Sequence, residues 1–122
     1  MTGAELAAFA AEWVAAWNAH DLERILSHYS DDMVFDSPGV QIVMGDPSGR
    51  VVGKGALKTY WQTAMARSPG LQFELRGVFA GPRGCALRYW NANLQAEVIE
   101  VFEFNDRRLV CAGGAYRAVE TV

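Results

Sequence analysis

The 122-residue chain is short of several things, and each shortage excludes a class of protein. It has two cysteines, Cys85 and Cys111, in what read as separate strands, and neither has a His or Cys at ligand spacing. Both read as buried small apolar residues, kept reduced in a cytoplasmic setting. It has two histidines, His20 in a turn between helices and His28 beside an apolar stripe, and both read as solvated. That is too few for a metal centre or a Ser-His-Asp arrangement, so no metal and no cofactor are expected. Charged residues make up 20% of the chain and the net charge is −3, which gives no electrostatic ground for a nucleic acid or an anionic membrane as partner. No stretch approaches the roughly 18 uninterrupted apolar residues of a membrane span. The opening Met1-Thr2-Gly3-Ala4-Glu5 has neither the basic nor the apolar region of a secretory signal, so a cytoplasmic location is expected. Repeats and low-complexity segments are absent as well.

Apolar residues are plentiful. They are 51% of the chain, with four tryptophans among them, which excludes disorder and suits one domain over residues 1–122 with a core of its own. The front of the chain reads as helical. Thr2 and Glu5 fit a capping box, and Leu6, Phe9, Ala10, Trp13 and Trp17 follow at helical spacing. Asp21 caps a short second helix with Leu22, Ile25, Leu26 and Tyr29 as its stripe, ended by Ser30-Asp31-Asp32. A strand from Met33 to Ser37 stops at Pro38-Gly39. Gln41–Met44 and Arg50–Val52 flank a Gly45-Asp46-Pro47-Ser48-Gly49 turn and read as a hairpin or ordered loop. A third helix starts near Gly55, carries Leu57, Tyr60, Trp61, Ala64 and Met65, and ends at Ser68-Pro69-Gly70. The preceding Gly53-Lys54-Gly55 lacks the full phosphate-loop pattern and reads as a helix start.

The remainder reads as a strand meander: Leu71–Ala80, Cys85–Trp90, about Leu94 to Phe104, and Arg108–Val119, with turns between. The order predicts an α+β fold, a curved and mainly antiparallel sheet with three helices on one face. One residue breaks the pattern of its strand. Ala96, Val98, Phe102 and Phe104 alternate toward the core, and Glu100 lies on that same face. A carboxyl in apolar surroundings resists ionisation and can serve as an acid or hydrogen-bond donor near neutral pH. Three readings remain open at this point: a pocket carboxyl, a structural pair with an Arg or an indole, or a bulge that swings Glu100 outward. Asp36 and Ser37 end the first strand, and Ser37 shares parity with Met33 and Phe35; an Asp-Ser-Pro strand end is also ordinary turn chemistry.

Four segments together resemble the nuclear transport factor 2-like superfamily, which includes SnoaL-like polyketide cyclases and ketosteroid isomerases. They are Trp13-Val14-Ala15-Ala16-Trp17-Asn18-Ala19-His20-Asp21-Leu22, Tyr29-Ser30-Asp31-Asp32-Met33-Val34-Phe35, Gly53-Lys54-Gly55-Ala56-Leu57 and Val101-Phe102-Glu103-Phe104-Asn105-Asp106. The resemblance implies a cone-like half barrel whose three helices enclose an apolar pocket, and a homodimer through the outer sheet face. It implies a pocket for a small apolar molecule, lined by Trp13, Phe35, Ser37, Tyr60, Trp61, Trp90, Phe102, Tyr116 and Glu100. Within the ketosteroid isomerase pattern Glu100 keeps the acidic oxyanion position, while the position of the base resembles Ser37, with Asp36 displaced by one residue. Classical ketosteroid isomerisation is therefore not expected, because a serine removes no carbon-bound proton without a base of its own. The Asp-Arg-Asp set of limonene-epoxide hydrolases is not matched around Arg88. The fold hosts many chemistries. Two expectations stand: acid/base chemistry of isomerase, cyclase or hydrolase type centred on Glu100, with Ser37 and Asp36 as candidates beside it, or a non-catalytic binding or dimerisation module.

Overall fold

The structure, a computed structural model, describes residues 1–120. The capping box forms as the sequence predicts: Thr2 Oγ accepts from the Glu5 amide at 3.1 Å, and Glu5 accepts from the Thr2 amide at 2.9 Å. It opens α1 (Gly3–Asn18), which turns Leu6, Ala10, Trp13 and Trp17 inward. Asp21 caps α2 (Leu22–Leu26) by accepting from the Arg24 amide. The remaining elements are β1 (Tyr29–Asp36), α3 (Pro38–Met44), β2 (Arg50–Val52), α4 (Lys54–Arg67), β3 (Phe73–Ala80), β4 (Gly84–Asn91), β5 (Ala96–Phe104) and β6 (Val110–Arg117). The six strands form one sheet in the order β2-β1-β6-β5-β4-β3. All neighbours are antiparallel except β1 and β6, which run parallel. The fold is thus a curved, mainly antiparallel sheet with helices on its concave face. Register shifts in β1, β3 and β5 increase local twist and help the sheet curl.

There are four helices among the described residues, where the sequence pattern predicts three. The segment expected as part of a hairpin is α3. Ser37 Oγ accepts from the Gly39 amide at 3.1 Å, Pro38 occupies the first turn, and Gly45 ends the helix at φ 67°. These are helix start and stop signals, and they replace the hairpin or ordered loop expected of Gln41–Met44 with a helix that begins at Pro38. Tyr29 opens β1 instead of closing α2, and Ser30-Asp31-Asp32 lies within that strand. Pairing of Tyr29 with Val110 makes this possible, because the irregular register that follows leaves Asp31 and Asp32 in solvent while Tyr29 and Met33 are buried. Smaller differences lie at turns. β5 starts at Ala96 after Gln95 at φ 51°, and β6 starts at Val110 after Arg108 at φ 61°.

An aromatic core fills the space between α1, α4 and the sheet. Trp13 is 1% exposed and packs on Phe73, Tyr89 and Phe102 at centroid separations of 5.8, 5.6 and 5.3 Å. Trp61 meets Trp17, Tyr29 and Phe35 edge to face. Such pairs add to the stabilisation that burial alone gives. The end of α1 is tied to the start of β3 by two hydrogen bonds: Asn18 Nδ2 donates to the Phe73 carbonyl at 2.9 Å and its Oδ1 accepts from the Phe73 amide at 2.7 Å. His20 Nε2 lies 2.9 Å from the Leu71 carbonyl beside them. His28 is half-buried between Glu12 and Phe9, not solvated. Cys85 is buried as expected, whereas Cys111 is only half-buried: it is the extra residue at the register shift between β5 and β6, with its thiol 3.4 Å from the Glu103 carbonyl.

Candidate functional site

The concave face encloses a cavity of about 260 Å³ between β4–β6, α3, α4 and the end of α1. Its chemistry starts from the register of β5. Glu100 pairs directly with Leu87 on β4 and Ala115 on β6, so all three point to the concave side. Glu100 is 3% exposed and borders the cavity. Its Oε1 accepts from the Tyr89 hydroxyl at 2.9 Å. Its Oε2 has no partner among the described residues and is not sealed off, leaving it open to the cavity. Burial pushes the carboxyl up to about 8, with the Tyr89 hydrogen bond pulling the other way. At pH 7 about nine in ten Glu100 side chains are therefore protonated.

Three tyrosines surround this carboxyl. Tyr89 and Tyr29 titrate well above the usual phenol range, chiefly through burial, with the Glu100 charge adding to it. Tyr29 Oη accepts from Trp13 Nε1 at 3.0 Å. Tyr60 is also raised by burial, with the Ser37 hydroxyl opposing. Tyr60 reaches its place because residue 39 is glycine: a Cβ there would collide with the Tyr60 hydroxyl. Trp17 also borders the cavity, and its Nε1 is buried without a partner among the described residues. All these phenols stay neutral across the range in which Glu100 titrates.

The sequence-predicted residues divide into two groups. Trp13, Phe35, Ser37, Tyr60, Trp61 and Glu100 border the cavity together. Asp36, Trp90, Phe102 and Tyr116 do not. Asp36 points to the outer face, half-exposed, with Arg50 Nε and Nη2 donating to its two oxygens at 2.8 and 3.0 Å. That guanidinium holds its carboxyl below the usual range, so Asp36 is an ion-pair partner and lies outside the cavity. Trp90 follows Tyr89 on β4 and so faces outward, half-buried, with the Arg76 guanidinium 5.2 Å from its ring centre. Tyr116 follows Ala115 on β6, faces outward and is 65% exposed. Phe102 faces inward but is sealed from the cavity by Phe9 and Trp13 of α1.

Sequence reasoning missed Tyr89, Phe73, Val43, Asn91, Arg67 and Arg117, all at the cavity wall. Tyr89 had a signal: Cys85, Leu87 and Tyr89 alternate with Ala86, Arg88 and Trp90, and the Arg marks the outward set. Among the described residues no three His, Cys, Asp or Glu side chains gather to hold a metal ion.

A curved, unclosed six-stranded sheet with helices on its concave face is the cone-like fold of the nuclear transport factor 2-like class. A family model described as a SnoaL-like domain matches residues 10–112, and the chain belongs to that family. A SnoaL-like protein of unknown function from Burkholderia thailandensis is 40% identical, with 96% of this chain and 97% of that one covered and a TM-score of 0.91. AclR of Streptomyces galilaeus, described as a candidate hydroxylase, shares the fold at 23% identity, 98% and 92% coverage and a TM-score of 0.74. So does a Mycobacterium tuberculosis protein solved in complex with estradiol-17beta-hemisuccinate, at 19% identity, 93% and 94% coverage and a TM-score of 0.74. No curated protein matches the chain. No helix among the described residues is long and apolar enough to cross a membrane.

Proposed function

We propose that the cavity binds a small, mostly apolar molecule through one hydrogen-bond acceptor, and that Glu100 is the group that holds it. The observation that carries this reading is the division of labour on one carboxyl: Tyr89 occupies Oε1, and Oε2 is free toward the cavity. A protonated Glu100 donates from Oε2 to a carbonyl or ether oxygen, while Trp61, Phe35 and Tyr60 supply flat apolar contact. In a reaction the same group is a general acid, which fits isomerase, cyclase or hydrolase chemistry. A specific observation also favours a second reading, a binding module without turnover. Among the described residues Glu100 is the sole carboxylate bordering the cavity, since Asp36 is turned outward onto Arg50, so no second carboxylate base stands ready there. The complex with estradiol-17beta-hemisuccinate supports an apolar ligand in this kind of fold. The domain is further proposed to work in the cytoplasm as a homodimer through its outer sheet face, where Phe79 and Tyr116 are exposed beside half-buried Ile99, Val101 and Trp90.

The test is binding of a neutral aryl ketone, 2-acetylnaphthalene, followed by tryptophan fluorescence as pH rises. Affinity is expected to hold below about pH 8 and to fall above it, as the carboxyl ionises and faces the ketone oxygen with a lone pair. Glu100→Gln keeps a donor and flattens the profile; Glu100→Leu weakens binding about tenfold or more. Binding that ignores both substitutions sinks the proposal. A substrate turned over by the wild type but not by a binding-competent Glu100→Gln separates enzyme from binding module.

A further inference from the structure

Among the described residues the cavity that holds Glu100 has two permanently charged groups at its wall, and both are cations. Arg67 is the last residue of α4 and Arg117 the last of β6. Neither takes part in an ion pair or a side-chain hydrogen bond among the described residues. Most other arginines do: Arg24, Arg50, Arg83, Arg88 and Arg108 each pair with a carboxylate, and Arg76 lies over Trp90. Arg107 is also unpaired but stands outside the cavity wall. Arg67 and Arg117 are both solvent-exposed, so they stand where the cavity wall meets solvent, whereas Glu100 is buried.

The register fixes how far Arg117 lies from the carboxyl along the sheet. Glu100 faces Ala115, and Arg117 comes two residues later with the same parity, opposite Val98. That puts its backbone roughly 7 Å along the strand from Glu100. The sign of the charge is against the average. The whole chain is at −3, yet among the described residues this wall carries two guanidiniums, a carboxyl that burial keeps mostly protonated at neutral pH, and the neutral phenols of Tyr60 and Tyr89. A low-dielectric cavity with cations at its opening attracts anions and orients them with the charge outward.

We infer that the ligand is an amphiphilic anion, an apolar ring-bearing carboxylic acid whose carboxylate meets Arg67 and Arg117 at the mouth while its acceptor oxygen reaches Glu100. Guanidinium groups suit this because they meet carboxylates in a planar, two-bonded fork. Val98, Leu71 and Ala64 supply the apolar wall between the two polar ends. The inference rests on the reading that the cavity binds an apolar acceptor-bearing molecule, and adds a second anchor of opposite character.

The experiment compares matched probes on the intact chain by calorimetry or tryptophan quenching: 2-acetylnaphthalene against 6-acetyl-2-naphthoate, and acetophenone against 4-acetylbenzoate. The carboxylate of at least one pair is expected to bind about tenfold tighter than its neutral partner. The ratio is expected to shrink as salt rises, and to fall to within about twofold in an Arg67→Gln/Arg117→Gln double variant. Both positions are exposed, and circular dichroism checks that the variant is folded. Neutral ketones that bind as tightly as the acids, or a preference that survives the double variant, overturn this inference and leave the Glu100 pocket standing. Failure of all four probes to bind overturns both.

Discussion

Glu100 is buried as an acid, and that makes the stability of the whole domain depend on pH in a direction opposite to most carboxylates. In the unfolded chain the side chain ionises near its usual 4.5; in the fold burial holds it at about 8. Between those two values the folded state carries a proton that the unfolded state has released. Stability is therefore fully present below about pH 4.5 and declines as pH rises, until the folded carboxyl itself ionises near 8. The full difference is worth about 5 kcal/mol, since each pH unit in the window costs about 1.4 kcal/mol. That is a large share of the roughly 6–18 kcal/mol expected for a domain of this size. Glu100→Gln removes the titration while keeping shape, neutrality and an acceptor for Tyr89. Urea unfolding followed by tryptophan fluorescence at pH 5, 6, 7 and 8 gives both curves, and subtracting them cancels every other titrating group. The wild type is expected to lose stability relative to the variant by several kcal/mol across the series, with the variant the more stable at pH 8. Parallel curves would refute the reasoning, and would mean that the carboxyl ionises in the fold with compensation the geometry does not provide.

Two further outcomes follow from the geometry. Gly39→Ala places a methyl against the Tyr60 hydroxyl and is expected to destabilise by about 1–3 kcal/mol, and Tyr60→Phe in the same chain should recover part of that loss in urea titrations. Tyr116→Glu puts a charge on the outer sheet face beside Ile99 and Val101, so size-exclusion with light scattering should show a dimer converted to monomer; an unchanged mass disproves assembly through that face.

How much of this was legible in the sequence depended on whether a local rule and the tertiary arrangement agreed. The capping box, the α1 and α4 stripes and the meander of β3–β6 were readable because periodicity and burial say the same thing there. α3 was misread because seven residues are too few for a helical period to show, and Pro38 and Gly45 were read as a strand stop and a turn although, with Ser37, they carried the helix signal. Glu100 was readable for a plain reason: alternation along β5 is unbroken through it. Trp90 and Tyr116 were placed inside on the family resemblance, against the parity of Arg88 and Ala115 beside them, and parity is what the hydrogen-bonded register enforces. Arg67 and Arg117 had no local signal. Whether a long side chain at the end of an element borders a cavity depends on where another element stops, and no single segment holds that information.

The two hydrogen bonds between Asn18 and Phe73 have a mechanical consequence. They lock the end of α1 to the first residue of β3, so the wall formed by Trp17, Leu71 and Phe73 behaves as a fixed jaw. The opposite jaw is α3, seven residues long and followed by glycines at φ 67° and 68° in its return to β2. Under the proposed function, a guest of the wrong thickness is expected to meet more resistance from the side held by Asn18 than from α3. Differences in ligand size should then register as displacement of α3 and of Tyr60 beneath Gly39, leaving the Asn18 side unmoved; amide exchange measured with and without ligand would show the asymmetry.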